Sequence, residues 1–372
     1  MSYFHLNLIL KGKLTVCCLL MLSVIPLNAQ REAKQIGDFK ESISLNEHLR
    51  GTKRTLQYCP DGDEFVCVNG KNRYTRALYG SHSPFRVETS DRPVFAFYNN
   101  GRGGNISFKV ILRDGTELAL DRTGYCESRY SAGKRTYYLT DPSWGKGELR
   151  ISVLALADMD GAIWRFSPSN MPKGAILRWQ HGGATGKRLS RNGDMGVDPA
   201  DCFELPAEAT DLVTGELALQ KEVYLVRGEV PEGYNVRKLY QQAEAASLAL
   251  ASHLKIETPD PYLNTLGGAL VAAADGIWDG QVWLHGAIGW RMPLSGWRAG
   301  YTGDALGWHD RARTHFDAYA ASQVTDVPNT IPHPAQDSTM NLARSEKRWG
   351  TPQYSLSLIH ISEPTRLLSI SY

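Results

Sequence analysis

The chain is poor in cysteine, nearly neutral, and beyond its N-terminus has no long apolar run. Six cysteines in 372 residues are too few for a disulfide-stapled small fold. None sits in a CxxC or histidine-rich spacing that would hold structural zinc, so no metal is expected. With 41 basic and 39 acidic side chains the formal net charge is +2, and no basic block runs along the chain, which speaks against a charge-driven nucleic-acid role. The mark of disorder, low hydrophobicity with high net charge, is also missing. Past the N-terminus no stretch is long and apolar enough for a membrane span. What is present is length for two domains, each with its own core, and generous counts of Gly (35), Tyr (17) and Trp (9), a composition common in carbohydrate-active proteins.

Both ends stand apart from the fold. Lys11 and Lys13 precede the apolar run from Leu14 to Leu27, and Leu27-Asn28-Ala29 suits a signal peptidase. Residues 1–29 therefore read as a cleaved signal peptide, with 30–54 as a linker. Cys17 and Cys18 lack the small residues that precede a lipoprotein cysteine. The expected location is periplasmic or secreted, with no membrane contact after cleavage. At the other end, Leu356 to Arg366 is similar to the translation of a transposase adapter from sequencing libraries, and 356–372 is set aside as that artefact. Native sequence would then stop near Ser355, as a fragment of a longer protein. In the oxidising compartment implied by export, Cys59 and Cys67 flank Pro60-Asp61-Gly62-Asp63. A hairpin there could join them, or both could stay buried thiols; four cysteines, with Cys126 and Cys202, do not fix a connectivity.

Periodicity divides the remainder. From 55 to 230 apolar residues alternate with polar ones in Pro93–Tyr98, Ile106–Leu112, Arg150–Leu156 and Ala162–Phe166, with turn signals at Arg113-Asp114-Gly115-Thr116, Asp160-Gly161 and Asn192-Gly193-Asp194. Many short strands separated by turns predict an antiparallel β-sandwich. The glycine-rich stretches Asn99–Asn105 and His181–Gly186 precede no helix start and so are loops, not phosphate cradles; no cofactor is expected. After Pro231 the pattern turns helical: Tyr234–Leu254, then Tyr262–Trp278 after Pro259-Asp260-Pro261, then Gly303–Gln323. The architecture is thus β then α in separate domains, 55–230 and 231–355.

Between the helices, Trp283 to Asp304 is too rich in Gly, Trp and Arg for a plain connector. Trp290 and Trp297 offer flat faces for a sugar ring, and Arg291 and Arg298 offer planar donors for hydroxyls or a carboxylate. Asp304 and Asp310, with Glu346 further on, supply carboxylates, and glycoside cleavage needs two. Asp304 lies between Tyr301 and Trp308, aromatic walls that would raise its pKa and suit a general acid. Asp310 lies beside Arg311, which favours a base or structural partner. Tyr301, Trp308 and His309 complete the expected substrate-binding set. The plainer alternative makes Trp290, Trp297 and Trp308 core and Asp304 the N-cap of the last helix.

The pattern Tyr301-Thr302-Gly303-Asp304-Ala305-Leu306-Gly307-Trp308-His309-Asp310-Arg311 after Gly296-Trp297-Arg298, with Asn72-Arg73-Tyr74-Thr75-Arg76-Ala77-Leu78-Tyr79-Gly80 and Phe85-Arg86-Val87-Glu88, resembles helical-barrel glycosidases of gut Bacteroidetes and the family catalogued as domain of unknown function 4450. The resemblance runs from about Thr55 to Ser355 and carries no catalytic assignment. It implies a β-sandwich followed by an (α/α)6 toroid, here truncated, and a secreted or periplasmic glycoside hydrolase of polysaccharide breakdown whose partner is a carbohydrate. Two other classes stay open: a non-catalytic carbohydrate-binding or structural module, and a polysaccharide lyase using Tyr301, His309 and Arg298.

Overall fold

The computed structural model describes residues 57–71, 74–83, 85–99, 102–182, 212–230, 233–284 and 300–321. The expected signal peptide, the linker up to residue 54, Cys202 and the adapter-like tail lie outside them. The chain divides into two units, Met1–Cys59 and Pro60–Tyr372.

The alternating segments form strands. β1 (Cys59–Asp61), β2 (Glu64–Val68), β3 (Tyr74–Tyr79), β4 (Arg86–Ser90), β5 (Phe95–Asn99), β6 (Arg102–Ile111), β7 (Glu117–Ala119), β8 (Tyr125–Ser131), β9 (Lys134–Thr140), β10 (Glu148–Ala155), β11 (Gly161–Ser169), β12 (Ile176–Gly182), β13 (Val213–Ala218) and β14 (Val223–Gly228) build two antiparallel sheets. Sheet A runs β1-β2-β8-β9-β10-β11-β14, and sheet B runs β13-β12-β6-β5-β4-β3, with β7 added beside β6. The glycine-rich stretch read as a loop is mostly strand: Gly103 and Gly104 pair with Tyr98 and Phe97 across the β5–β6 hairpin. Ladder hydrogen bonds to a paired strand override the low strand preference of glycine.

Period-two alternation gives each strand an inner face. Phe95 and Phe108 of sheet B meet Tyr137, Trp164 and Phe166 of sheet A. Phe95 lies edge-on to Phe108 (5.8 Å), Tyr137 (5.7 Å) and Trp164 (5.6 Å), and Phe108 to Phe166 (5.1 Å). Such edge-to-face pairs add about 0.5–1.5 kcal/mol each beyond the area they bury. Cys67 and Cys126 are buried among the strands as thiols, and burial pushes the Cys126 thiol up to about 12, which keeps it protonated and unreactive.

The outer face of sheet A is covered by helix. α1 (Val236–Ala251) starts where Asn235 accepts a hydrogen bond from the Lys238 amide at 3.0 Å. Its Leu239, Tyr240 and Ala243 pack on Leu154, Leu156 and Ile163. α2 (Pro261–Gly276) is capped by Asp260, which accepts from the Tyr262 amide at 2.8 Å, with Pro261 in the first turn. The third predicted helix is interrupted. Residues 300–305 are helical, Gly307 has φ +77°, and α3 runs from His309 to Ala321. The Trp308 amide donates to the Gly303 carbonyl and the Gly307 amide to the Asp304 carbonyl, both at 2.9 Å, the paired bonds of a helix stop around a left-handed glycine. Asp304 is therefore not the N-cap of a helix that continues to residue 323. The sandwich-then-helices order stands as expected; among the described residues these helices do not make an evident toroid.

Candidate functional site

The helices meet the sandwich at the C-terminal end of α2. Gly276 lies so close to Tyr79 of β3 that an added Cβ would fall 2.1 Å from the ring, which brings the neighbouring Asp275 against the sandwich. Asp275 Oδ1 accepts from Arg311 Nη1 at 2.7 Å and lies 3.2 Å from His82 Nε2. Burial pushes this carboxyl up, but the hydrogen bonds from His82 and Arg311 outweigh it and hold it below its ordinary value. It is thus ionised near neutrality and suits an acceptor, not a general acid. Asp275 also borders a cavity of about 160 Å3 between strands of both sheets and the helices, lined in addition by Tyr79, Tyr130, Leu154, Ala243 and Ser247. Burial raises the pKa of the Tyr79 and Tyr130 hydroxyls, so both stay protonated.

Beside this hub an aromatic stack joins α2 to α3. Residues 278–283 turn back tightly, with Asp279 Oδ1 accepting from the Gln281 and Val282 amides at 2.9 and 2.7 Å. The turn buries Trp283, whose Nε1 donates to the Ala274 carbonyl (2.9 Å) and whose amide donates to His315 Nδ1 (3.0 Å). Trp308 lies parallel to Trp283 at 6.4 Å and on His253 at 5.3 Å, with the Arg311 guanidinium 4.7 Å from its ring centre. His253 Nε2 also meets the Leu306 carbonyl.

The sequence-selected residues distribute as follows. Trp290, Arg291, Trp297 and Arg298 lie outside the described residues. Tyr301 packs on Phe316 at 6.0 Å. Trp308 belongs to the stack, so its ring is a packing element. Asp304 and His309 come together, His309 Nδ1 standing 2.6 Å from Asp304 Oδ1, with side chains 59% and 72% exposed. Tyr301 and Trp308 therefore do not enclose Asp304. Asp310 is exposed in the first turn of α3, where a negative charge complements the helix dipole. Sequence reasoning missed Asp275, His82, His253 and His315. His82 and Asp275 are 193 positions apart and share no local signal; Arg311 sits beside Asp310 in the sequence, but its partner is the distant Asp275. Among the described residues no cluster of three or more His, Cys, Asp or Glu is arranged for a metal ion, and no helix is long and apolar enough to cross a membrane.

The model of a family described as Domain of unknown function (DUF4450) matches residues 100–230. This stretch is a DUF4450 domain. Within the sandwich it takes in β6 through β14, and the match ends before α1, so the DUF4450 segment supplies most of sheet A and the β6 and β12–β13 side of sheet B. The motifs at 72–80, 85–88 and 301–311 lie outside the matched residues. No curated protein matches the chain.

Proposed function

We propose that the protein is a polysaccharide-degrading glycoside hydrolase, periplasmic or secreted, in which the helices after the DUF4450 domain belong to an (α/α)6 toroid. The observation that carries this reading is the Asp304–His309 pair, open to solvent on the turn before α3 and next to Trp308. A glycosidic oxygen leaves only when an acid protonates it. Asp304, with its Oδ1 2.6 Å from His309 Nδ1, is the carboxyl this reading assigns to that proton transfer. Asp310, exposed nearby in sequence, is the candidate second carboxylate. Asp275, ionised by its two partners, positions Arg311 and the Trp308 stack.

The same pair also favours a second reading. A histidine whose Nδ1 is oriented by a carboxylate is a built general base, and a lyase would use His309 to remove the proton next to a uronate carboxylate while the glycosidic C–O bond breaks. A single assay separates the two. The protein is incubated with neutral and acidic polysaccharides, and products are followed by reducing ends and by the ultraviolet absorbance of an unsaturated uronate. A hydrolase gives saturated products and loses turnover in Asp304→Asn while glycan binding survives. Unsaturated products sensitive to His309→Ala mark the lyase. Binding without any bond cleavage leaves a non-catalytic carbohydrate-binding module.

A further inference from the structure

The cavity bordered by Asp275 owes its space to small side chains. On α1, Ala243, Ala246 and Ser247 stand at i, i+3 and i+4 and so share the face that lines it. Of the fifteen residues around the cavity, seven are alanine and two are glycine. Ala157 and Ala246 are exposed, so the cavity opens to solvent beside them, while Tyr130 and Leu154 are buried at its inner side. Its volume of about 160 Å3 is several times the ~30 Å3 share of one water, and an apolar cavity of about 150 Å3 takes a benzene ring. The space therefore suits an organic group and not a single trapped water.

Three of its polar side chains have hydrogen-bonding capacity left. His82 and Arg311 both meet Oδ1 of Asp275, and Oδ2 meets none of the described residues. The Tyr79 hydroxyl has no hydrogen-bond partner among them either. Burial, and after it the nearness of Glu88 and Tyr130, raises the Tyr79 pKa, so the two phenols stand near each other. The Tyr130 oxygen accepts from the Gly133 amide at 3.2 Å, which leaves its own hydrogen to donate. Ser247 gives its hydrogen to the Ala132 carbonyl. The cavity thus offers one ionised acceptor and two phenolic donors between walls of alanine. No cation lines it, so an anion would be repelled by Asp275; Arg311 already balances Asp275, so a ligand cation is not called for. A bare sugar ring carries more hydroxyls than these groups can pair, and each buried hydroxyl left unpaired is costly. An acetamido group matches the inventory: an N–H to donate to Asp275, a carbonyl with two lone pairs to accept from Tyr79 and Tyr130, and a methyl to lie on the alanines. We propose that the cavity binds the acetamido group of an N-acetylated amino sugar. Only the choice of a sugar as its carrier rests on the carbohydrate reading above. Arg311, bonded to Asp275 and set over Trp308, links the cavity to the turn that carries Asp304 and His309.

The test is a binding titration of the full chain, followed by ligand-observed nuclear magnetic resonance, with N-acetylglucosamine, glucosamine and glucose, which differ in one substituent. The acetylated sugar should bind, and the other two at least about tenfold more weakly, as expected when hydrogen bonds to a charged acceptor and a buried phenol are lost or mismatched. Tyr79→Phe removes only a hydroxyl without a partner in the free protein. It should keep the parent's circular dichroism spectrum and bind N-acetylglucosamine about tenfold more weakly. If it does not fold, Ala246→Leu, at an exposed helical position that leucine suits, narrows the mouth and should weaken binding by at least as much. Equal binding of the three sugars, no binding of N-acetylglucosamine, or a folded variant that binds as the parent does would overturn the proposal. Tighter binding of an Nε-acetyllysine peptide than of N-acetylglucosamine would overturn the amino-sugar assignment. Acetamido-dependent binding without polysaccharide cleavage leaves this site standing and removes the hydrolase; polysaccharide cleavage without N-acetylglucosamine binding does the reverse.

Discussion

Asp275 shows how a partly buried carboxylate becomes a joint. It ties His82 of the sandwich to Arg311 of α3, and its pKa is depressed because those hydrogen bonds outweigh burial. A depressed folded pKa means stability that is complete above the unfolded value, about 3.9, and is lost as pH falls through the folded one. Urea unfolding should therefore show Asp275→Asn less stable than the parent by about 1–3 kcal/mol near neutral pH, with the gap closing as the pH drops below about 4. A gap that stayed constant into acid would deny the ion pair its role. Arg92 is a comparable clamp: Nε donates to the Gly70 carbonyl, and Nη1 to the Asp121 and Thr123 carbonyls, all at 3.0 Å. Arg92→Ala leaves three loop carbonyls without that donor and should cost about 2–3 kcal/mol in the same assay. Neither residue was legible in the sequence as a joint. Their partners are distant in the chain, and single charged residues in loops carry no periodic signal.

At the scale of elements the sequence was readable wherever one face is buried. The runs at Ile106, Arg150 and Ala162 fall in β6, β10 and β11 because one side faces the aromatic core, and α1 and α2 follow their alanine-rich pattern and caps. The failures have local causes. Gly103 and Gly104 look like loop by composition, yet pairing with β5 makes them strand. The helix predicted through 303–323 stops because Gly307 adopts a conformation that side chains resist. Apolar periodicity runs on across a one-residue change of hand, so the break was invisible to it. Gly307→Ala should lower stability by about 1–2 kcal/mol through that strain alone, since no atom of the described residues lies within 4 Å of an added Cβ. Asp304→Asn, by contrast, alters a solvent-exposed pair and should shift the urea midpoint by an equivalent of less than about 1 kcal/mol. A large loss in Asp304→Asn would mean that Asp304 holds the turn together and that its activity phenotype is not evidence of chemistry.

Across the molecule from Pro60 onward, sandwich and helices share their apolar surface. The outer face of sheet A is unusual for a sandwich, because Leu154, Leu156 and Ile163 are buried there by Leu239, Tyr240 and Ala243 rather than facing water. Tyr240 is the centre of that contact: it is 1% exposed, packs on Tyr224 at 5.7 Å, receives Arg165 over its ring, and has its hydroxyl pushed up to about 12 by burial. The division at residue 230 drawn from periodicity marks a change of secondary structure; the packing crosses it. If the two parts are energetically one, removing the Tyr240 ring must weaken both. Tyr240→Ala should cost about 3–5 kcal/mol, the usual loss for a deleted core aromatic, and lower the thermal midpoint by roughly 6–20 °C for a unit of this size. Far-ultraviolet circular dichroism, which follows the helices, and tryptophan fluorescence, which includes Trp164 in the sandwich core, should move together in a single transition. Two separated transitions, with the strand signal unmoved, would show that α1 only rests on a sandwich stable by itself.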